Sequence, residues 1–184
     1  MSRLLVAVLL LAVVAACSQP SPPAAPDPRA GAPVPPGGRD VTVVASDPCR
    51  ALDDAVSESG FSSPGEQRTV ASGDRSCRWT APDDSQFASA IIFSGRDVLA
   101  DAYRLRRFAI FEPSAVAGFP AVREQASAES ASCTITVGIQ EDQGFIVTLD
   151  DQAAASGGLS SQPCARAQEV AERIVAALPP LPGK

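Results

Sequence analysis

The sequence predicts an α+β domain, an antiparallel sheet with N-terminal, middle and C-terminal helices packed on one face and two disulfides bracing it. Three observations carry this. Short apolar and polar alternations recur between residues 68 and 149, separated by turn formers. Three stretches repeat apolar residues at helical spacing, one before the strands, one among them and one after them. Four cysteines, Cys49, Cys77, Cys133 and Cys164, fall inside this region, an even number that suits paired thiols.

The elements follow in order. Asp47 caps a helix entered through Pro48, with Leu52, Ala55, Val56 and Ser59 along one face and Gly60 at its end. Arg68–Ala71, Cys77–Ala81 and Gln86–Phe93 read as strands, the last two joined through Pro82-Asp83-Asp84. Val98, Ala102 and Leu105 stripe a helix from Asp97 to about Arg107. Strands follow at Val116–Arg123, Ala131–Gln140 and Phe145–Leu149, with Glu141-Asp142-Gln143-Gly144 as a hairpin turn. Ala167, Val170, Ala171, Ile174, Val175 and Leu178 mark a final helix stopped by Pro179-Pro180.

Periodicity also orients the cysteines. Cys133 shares a strand face with Ile135, Val137 and Ile139, and Cys77 shares one with Trp79, so both thiols point into the core. Cys49 and Cys164 each follow a proline at a helix start. This reading pairs Cys77 with Cys133 and Cys49 with Cys164. The second bond closes a loop of about 115 residues, worth roughly 4–5 kcal/mol in the chain-entropy model. Spacings of 28, 56 and 31 and the lack of any histidine argue against a zinc site.

The N-terminus reads as an address. Met1-Ser2-Arg3 is a basic head, Leu4 to Val14 an apolar run, and Val14-Ala15-Ala16-Cys17 a small-residue cleavage site of the lipobox type. A run of about 11 residues is too short to span a bilayer, which needs roughly 20. Residues 1–16 are therefore expected as a signal peptide and Cys17 as the lipidated residue, its acyl chains holding the protein on the outer face of the cell membrane. Residues 17–40 carry eight prolines and no aromatic residue, which predicts a disordered tether. Residues 41–184 form the single domain, whose 138 or so residues up to Leu178 suit one core.

Without residues 1–16 the chain has 14 basic and 21 acidic residues and no basic stripe, which excludes nucleic acid as a partner. Arg104, Arg106 and Arg107 read as one solvated helix end. Arginine outnumbers lysine 14 to 1 and asparagine is absent, a bias towards GC-rich codons.

The chain has no histidine, its one lysine is the last residue, and it lacks both a Gly-x-Ser-x-Gly elbow and a glycine-rich phosphate loop. The usual general base, serine dyad and nucleotide site are thus missing, and neither cofactor nor metal is expected. The doublets Asp53-Asp54, Asp83-Asp84, Glu141-Asp142 and Asp150-Asp151 read as solvated turn formers. Trp79 is read as packed on a core disulfide, or else as a pocket wall. Phe119, beside Pro120, is a possible contact point.

An Asp-Pro-Cys helix start, a Cys-Arg-Trp strand, Gly-Phe-Pro-Ala-Val at 118–122, a Cys-bearing hairpin strand and a Cys-Ala-x-Ala helix ending in Leu-Pro occur in that order. This arrangement resembles the actinobacterial lipoproteins of domain-of-unknown-function family 3558 over Asp47 to Leu178, and the lipobox and tether fit it too. The resemblance implies an envelope location and brings no catalytic residues. Three roles remain. The first is a non-catalytic module binding an envelope protein or a small apolar ligand through an exposed patch or a concave apolar pocket. The second is a carboxylate-dependent cell-wall hydrolase, needing two acidic groups roughly 5–10 Å apart in a cleft. The third is a passive surface lipoprotein.

Overall fold

The computed structural model describes residues 27–156 and 162–181. The signal peptide and the lipidated Cys17 expected from the sequence lie outside them. Among the described residues no helix is long and apolar enough to cross a membrane.

A short helix, α1 (Thr42–Ser46), leads into α2 (Pro48–Ser57), where the Asp47 carboxylate accepts the Arg50 N–H at 3.2 Å as expected of its cap. Three strands follow, β1 (Glu66–Thr69), β2 (Arg75–Thr80) and β3 (Gln86–Ser94), then α3 (Val98–Leu105). Four more strands, β4 (Ile110–Val116), β5 (Phe119–Gln125), β6 (Ser132–Gln140) and β7 (Gln143–Asp151), precede the short α4 (Gln152–Ala155) and the long α5 (Pro163–Ala177). The strands form one antiparallel sheet in the order β1-β2-β3-β7-β6-β5-β4. This is the α+β class that the alternations predict.

The main core lies between one sheet face and α1, α2 and α5. Leu52 and Val56 of α2 and Val170, Ile174 and Val175 of α5 pack on Ile92, Ile135, Val137, Phe145 and Val147. Each such side chain contributes about 1.5–3 kcal/mol on burial. The middle helix departs from expectation, because α3 sits on the opposite face. Leu99, Ala100, Ala102 and Tyr103 pack there with Val122 and Ala32 as a second, smaller cluster. Two glycines admit it: a Cβ at Gly138 would lie 3.0 Å from Leu99 Cδ2, and one at Gly144 would lie 2.7 Å from Val98 Cγ2.

Two further corrections concern the chain path. The strand expected over Val116–Arg123 is two strands, β4 and β5, reversed at Ala117 and Gly118, both with positive φ. That is the conformation a two-residue hairpin demands, here met by Ala-Gly without an Asn-Gly signal. β4 carries Pro113, tolerated because β4 is an edge strand. Finally, the part of the expected tether from Asp27 to Asp40 lies on the domain as a strap. Ala32 and Pro35 are buried, Arg29 pairs with Asp97, and Arg104 Nη2 donates to the Pro28 carbonyl at 2.8 Å. Proline stiffness, taken as a sign of disorder, here lowers the entropy lost on docking.

The four cysteines are all bonded, but the pairing Cys77–Cys133 and Cys49–Cys164 is overturned. The bonds are Cys49–Cys77 and Cys133–Cys164, with Cα–Cα distances of 5.0 and 5.1 Å. Cys77 and Cys133 do share the inner face. However, β3 and β7 stand between their strands, which puts them about 14 Å apart at ordinary strand spacing, beyond disulfide reach. Each bond instead fastens the first turn of a terminal helix to the strand beneath it.

Candidate functional site

The helices whose starts the disulfides pin cover the central strands of one sheet face. The other face is covered at one end only, and the sequence explains its character. Alternate positions of β3, β5, β6 and β7 that do not enter the main core are small, hydroxylic or moderately apolar. Across the sheet they form two rows: Val122, Thr136, Ile146 and Ile91, and beside it Glu124, Thr134, Thr148, Ser89 and Arg78. The Thr134 and Thr148 hydroxyls are hydrogen-bonded at 3.2 Å, and Arg78 lies over the Phe87 ring at 3.8 Å.

Helix α3 forms one wall over these rows. Asp97 caps it, accepting the Ala100 N–H at 2.9 Å, and Asp101 is held from both sides by Arg96 Nε at 2.6 Å and Arg104 Nη1 at 2.5 Å. Arg106, in the left-handed conformation, turns the chain out of the helix and brings Arg107 and the partly exposed Phe108 to the rim. The turn around Val70–Ser72 closes the far side. The result is a cleft of about 460 Å³ whose floor and walls include Ile91, Phe93, Val98, Ile146 and the threonine row. This is within the usual size of a small-molecule site, about 300–1,000 Å³.

Glu124 lines this cleft while only 5% exposed, and its Oε1 has no hydrogen-bond partner. Burial pushes its carboxyl above the ordinary value near 4.5, against the Arg107 charge and backbone N–H, which both favour the ionised form. Arg107, Arg96 and the paired Asp101 are the other charged groups on the cleft walls. A raised folded-state pKa means that Glu124 supports the fold while protonated and loses that support as pH rises through the folded value. Glu124→Gln is therefore expected to raise stability at pH 7 by about 1–2 kcal/mol, the scale of a buried unpartnered group, with little gain at pH 4. Scanning calorimetry at the two pH values checks this, and an equal effect at both would count against it.

A larger hollow of about 600 Å³ lies between β4, β5 and the start of α5. Its polar groups serve each other: Arg123 pairs with Glu112, and Gln168 Nε2 donates to the Ala115 carbonyl and to Glu172. Among the described residues, no buried side-chain atom lining this hollow lacks a partner as Glu124 Oε1 does.

The residues singled out from sequence are elsewhere. Trp79 is 1% exposed, beside the Cys49–Cys77 bond, and its Nε1 donates to Asp53 Oδ1 at 2.7 Å, so it belongs to the core and lines neither of the two hollows described above. Phe119, 9% exposed, packs in the same core with Val116 and Ala121, away from the cleft. Asp53, read as solvated, is a hub that also accepts the Gly65 N–H at 2.9 Å. Of the arginine cluster, Arg104 and Arg106 are structural, and only Arg107 faces the cleft. Glu124 went unnoticed although a signal exists: it continues the inward alternation of Pro120 and Val122 with a carboxylate. Among the described residues no three Cys, Asp or Glu side chains gather as a metal site.

Neither a curated protein nor a solved structure matches the chain. One family does, over residues 12–177, described as protein of unknown function (DUF3558). Spanning nearly the whole of the strap, sheet and helices that build the cleft, this match makes the chain a member of the DUF3558 family.

Proposed function

We propose that the protein is an exported lipoprotein of the actinobacterial envelope, anchored through Cys17 to the outer face of the cell membrane, and that it acts there as a non-catalytic module binding a small ligand. The observation that carries this reading is the half-covered sheet face with its cleft of about 460 Å³, lined by Ile91, Phe93, Val98 and Ile146 beside a row of threonines, with the buried Glu124 carboxyl among them. That is the concave site a binding module needs. Hydrolysis is less well supported. The cleft has two carboxylates, Glu124 and Asp101, but both Asp101 oxygens are occupied by arginines and are not free to attack or take a proton. The lipobox supports the anchor, since its thiol is the acceptor such processing requires.

Native mass spectrometry of the full-length protein, extracted in mild detergent from its own membrane without reductant, tests both parts. The expected result is a diacylglyceryl mass on Cys17 and a reproducible second, dissociable mass. That second mass is expected to vanish in Thr148→Trp, whose ring fills the cleft from a half-exposed strand position. A bare oxidised monomer, or a bound mass that Thr148→Trp leaves in place, contradicts the reading.

A further inference from the structure

We infer that Glu124 is the anchor of this cleft and that the ligand is an amphipathic molecule with a protonated amine head, seated on the Glu124 carboxyl, and an apolar body along Ile91, Phe93 and Ile146. The inference rests on the binding-module reading and adds the chemical class. A carboxylate oxygen that is buried and without a partner is costly to the fold, and a ligand N–H removes that cost on binding. The atoms around it narrow the choice. Phe111 and Thr134 flank Glu124 directly across the strands, so one neighbour is apolar and the other has its hydroxyl bonded to Thr148. Neither neighbour donates to Glu124 Oε1.

Charge then separates an amine from an acid. Arg96 and Arg104 are engaged with Asp101, and Arg107, whose charge and backbone N–H already act on Glu124, is exposed at the rim, where water weakens its pull on a ligand. An anionic head would meet Glu124 at the buried end with little to offset the repulsion. A cationic head forms a charge-assisted bond there and draws the carboxyl down into its ionised form. The apolar part of the cleft, between Phe93 and Phe108, suits a flat or extended hydrocarbon body of modest length.

The test uses three water-soluble probes of similar shape: 2-phenylethylamine, 2-phenylethanol and 3-phenylpropionate. Their binding to the oxidised full-length lipoprotein in detergent is read by ligand-observed NMR. The amine is expected to bind at least about tenfold more tightly than the acid, a difference of about 1.4 kcal/mol. Glu124→Gln, which is not expected to harm folding, reduces amine binding about tenfold and leaves the alcohol within about twofold. Thr148→Trp abolishes all three.

The acid binding as well as the amine overturns the inference, and so does amine binding that Glu124→Gln leaves unchanged. If Thr148→Trp still abolishes binding in that case, the cleft stands as a ligand site and only its anchor is wrong. Failure of all three probes to bind, or binding indifferent to Thr148→Trp, overturns both readings. Dihexanoyl-phosphatidylethanolamine separates the sources of the amine: displacement of phenylethylamine identifies a lipid headgroup, and lack of displacement identifies a free small amine.

Discussion

Full reduction of the two disulfides is expected to remove about 7 kcal/mol of stability and to leave the protein largely unfolded at 37 °C. The bonds close loops with sequence separations of 28 and 31, and each is worth about 3.6 kcal/mol in the chain-entropy model. Together they approach the whole stability of an ordinary domain, about 5–15 kcal/mol. Their placement increases the effect. Cys49 and Cys164 start α2 and α5, so the bonds fix to β2 and β6 the two helices that cover most of the main core. Melting with and without a phosphine reductant measures the loss, and a reduced protein melting within a few degrees of the oxidised one would contradict it. A non-reducing peptide map is expected to recover Cys49 with Cys77.

The second large effect is expected at Asp53. Its Oδ1 accepts two hydrogen bonds, from Trp79 Nε1 at 2.7 Å and from the Gly65 backbone at 2.9 Å. Asp53→Ala leaves the indole N–H of a nearly fully buried tryptophan without its acceptor. It also frees the loop that passes over the Cys49–Cys77 bond. Gly65 is needed there because a Cβ would collide with Cys77 Sγ and the Trp79 ring. The expected cost is about 3 kcal/mol, or about 10 °C in Tm for a domain of this size. Tryptophan emission is expected to shift to the red in the same variant. Asp54→Ala, one residue on and exposed, serves as the control and is expected to change Tm by no more than a degree or two.

These two predictions also mark where the sequence was readable. The alternation Cys133, Ile135, Val137 placed β6 and its inward thiol correctly, and Asp47-Pro48 and Pro163 gave the starts of α2 and α5. Local pattern reports which way a side chain faces, and that is all these elements required. It does not report which strand lies beside which. The pairing of Cys77 with Cys133 failed on that point, because a shared face was taken for adjacency while β3 and β7 intervened.

The same limit hid the cleft. The stripe of α3 fixes its apolar side but not the sheet face it covers. Only Gly138 and Gly144, two gaps in otherwise full strands, hint that a helix approaches the second face. Glu124 lies one residue beyond the strand expected over Val116–Arg123, and a carboxylate at the end of a strand is usually solvated. Its burial depends on α3 and the segment through Phe108 closing over it. A glutamate left without a full set of partners is a local inconsistency of the kind that sequences retain for function at a cost in stability.

The measurement that tests the cleft most directly is a crystal structure of the oxidised protein purified from its own membrane without displacing what it carries. The expected result is elongated density between Phe93 and Phe108, with a nitrogen about 3 Å from a Glu124 carboxyl oxygen. Ordered water alone in that cleft, or a ligand seated instead between β4 and α5, would contradict the account.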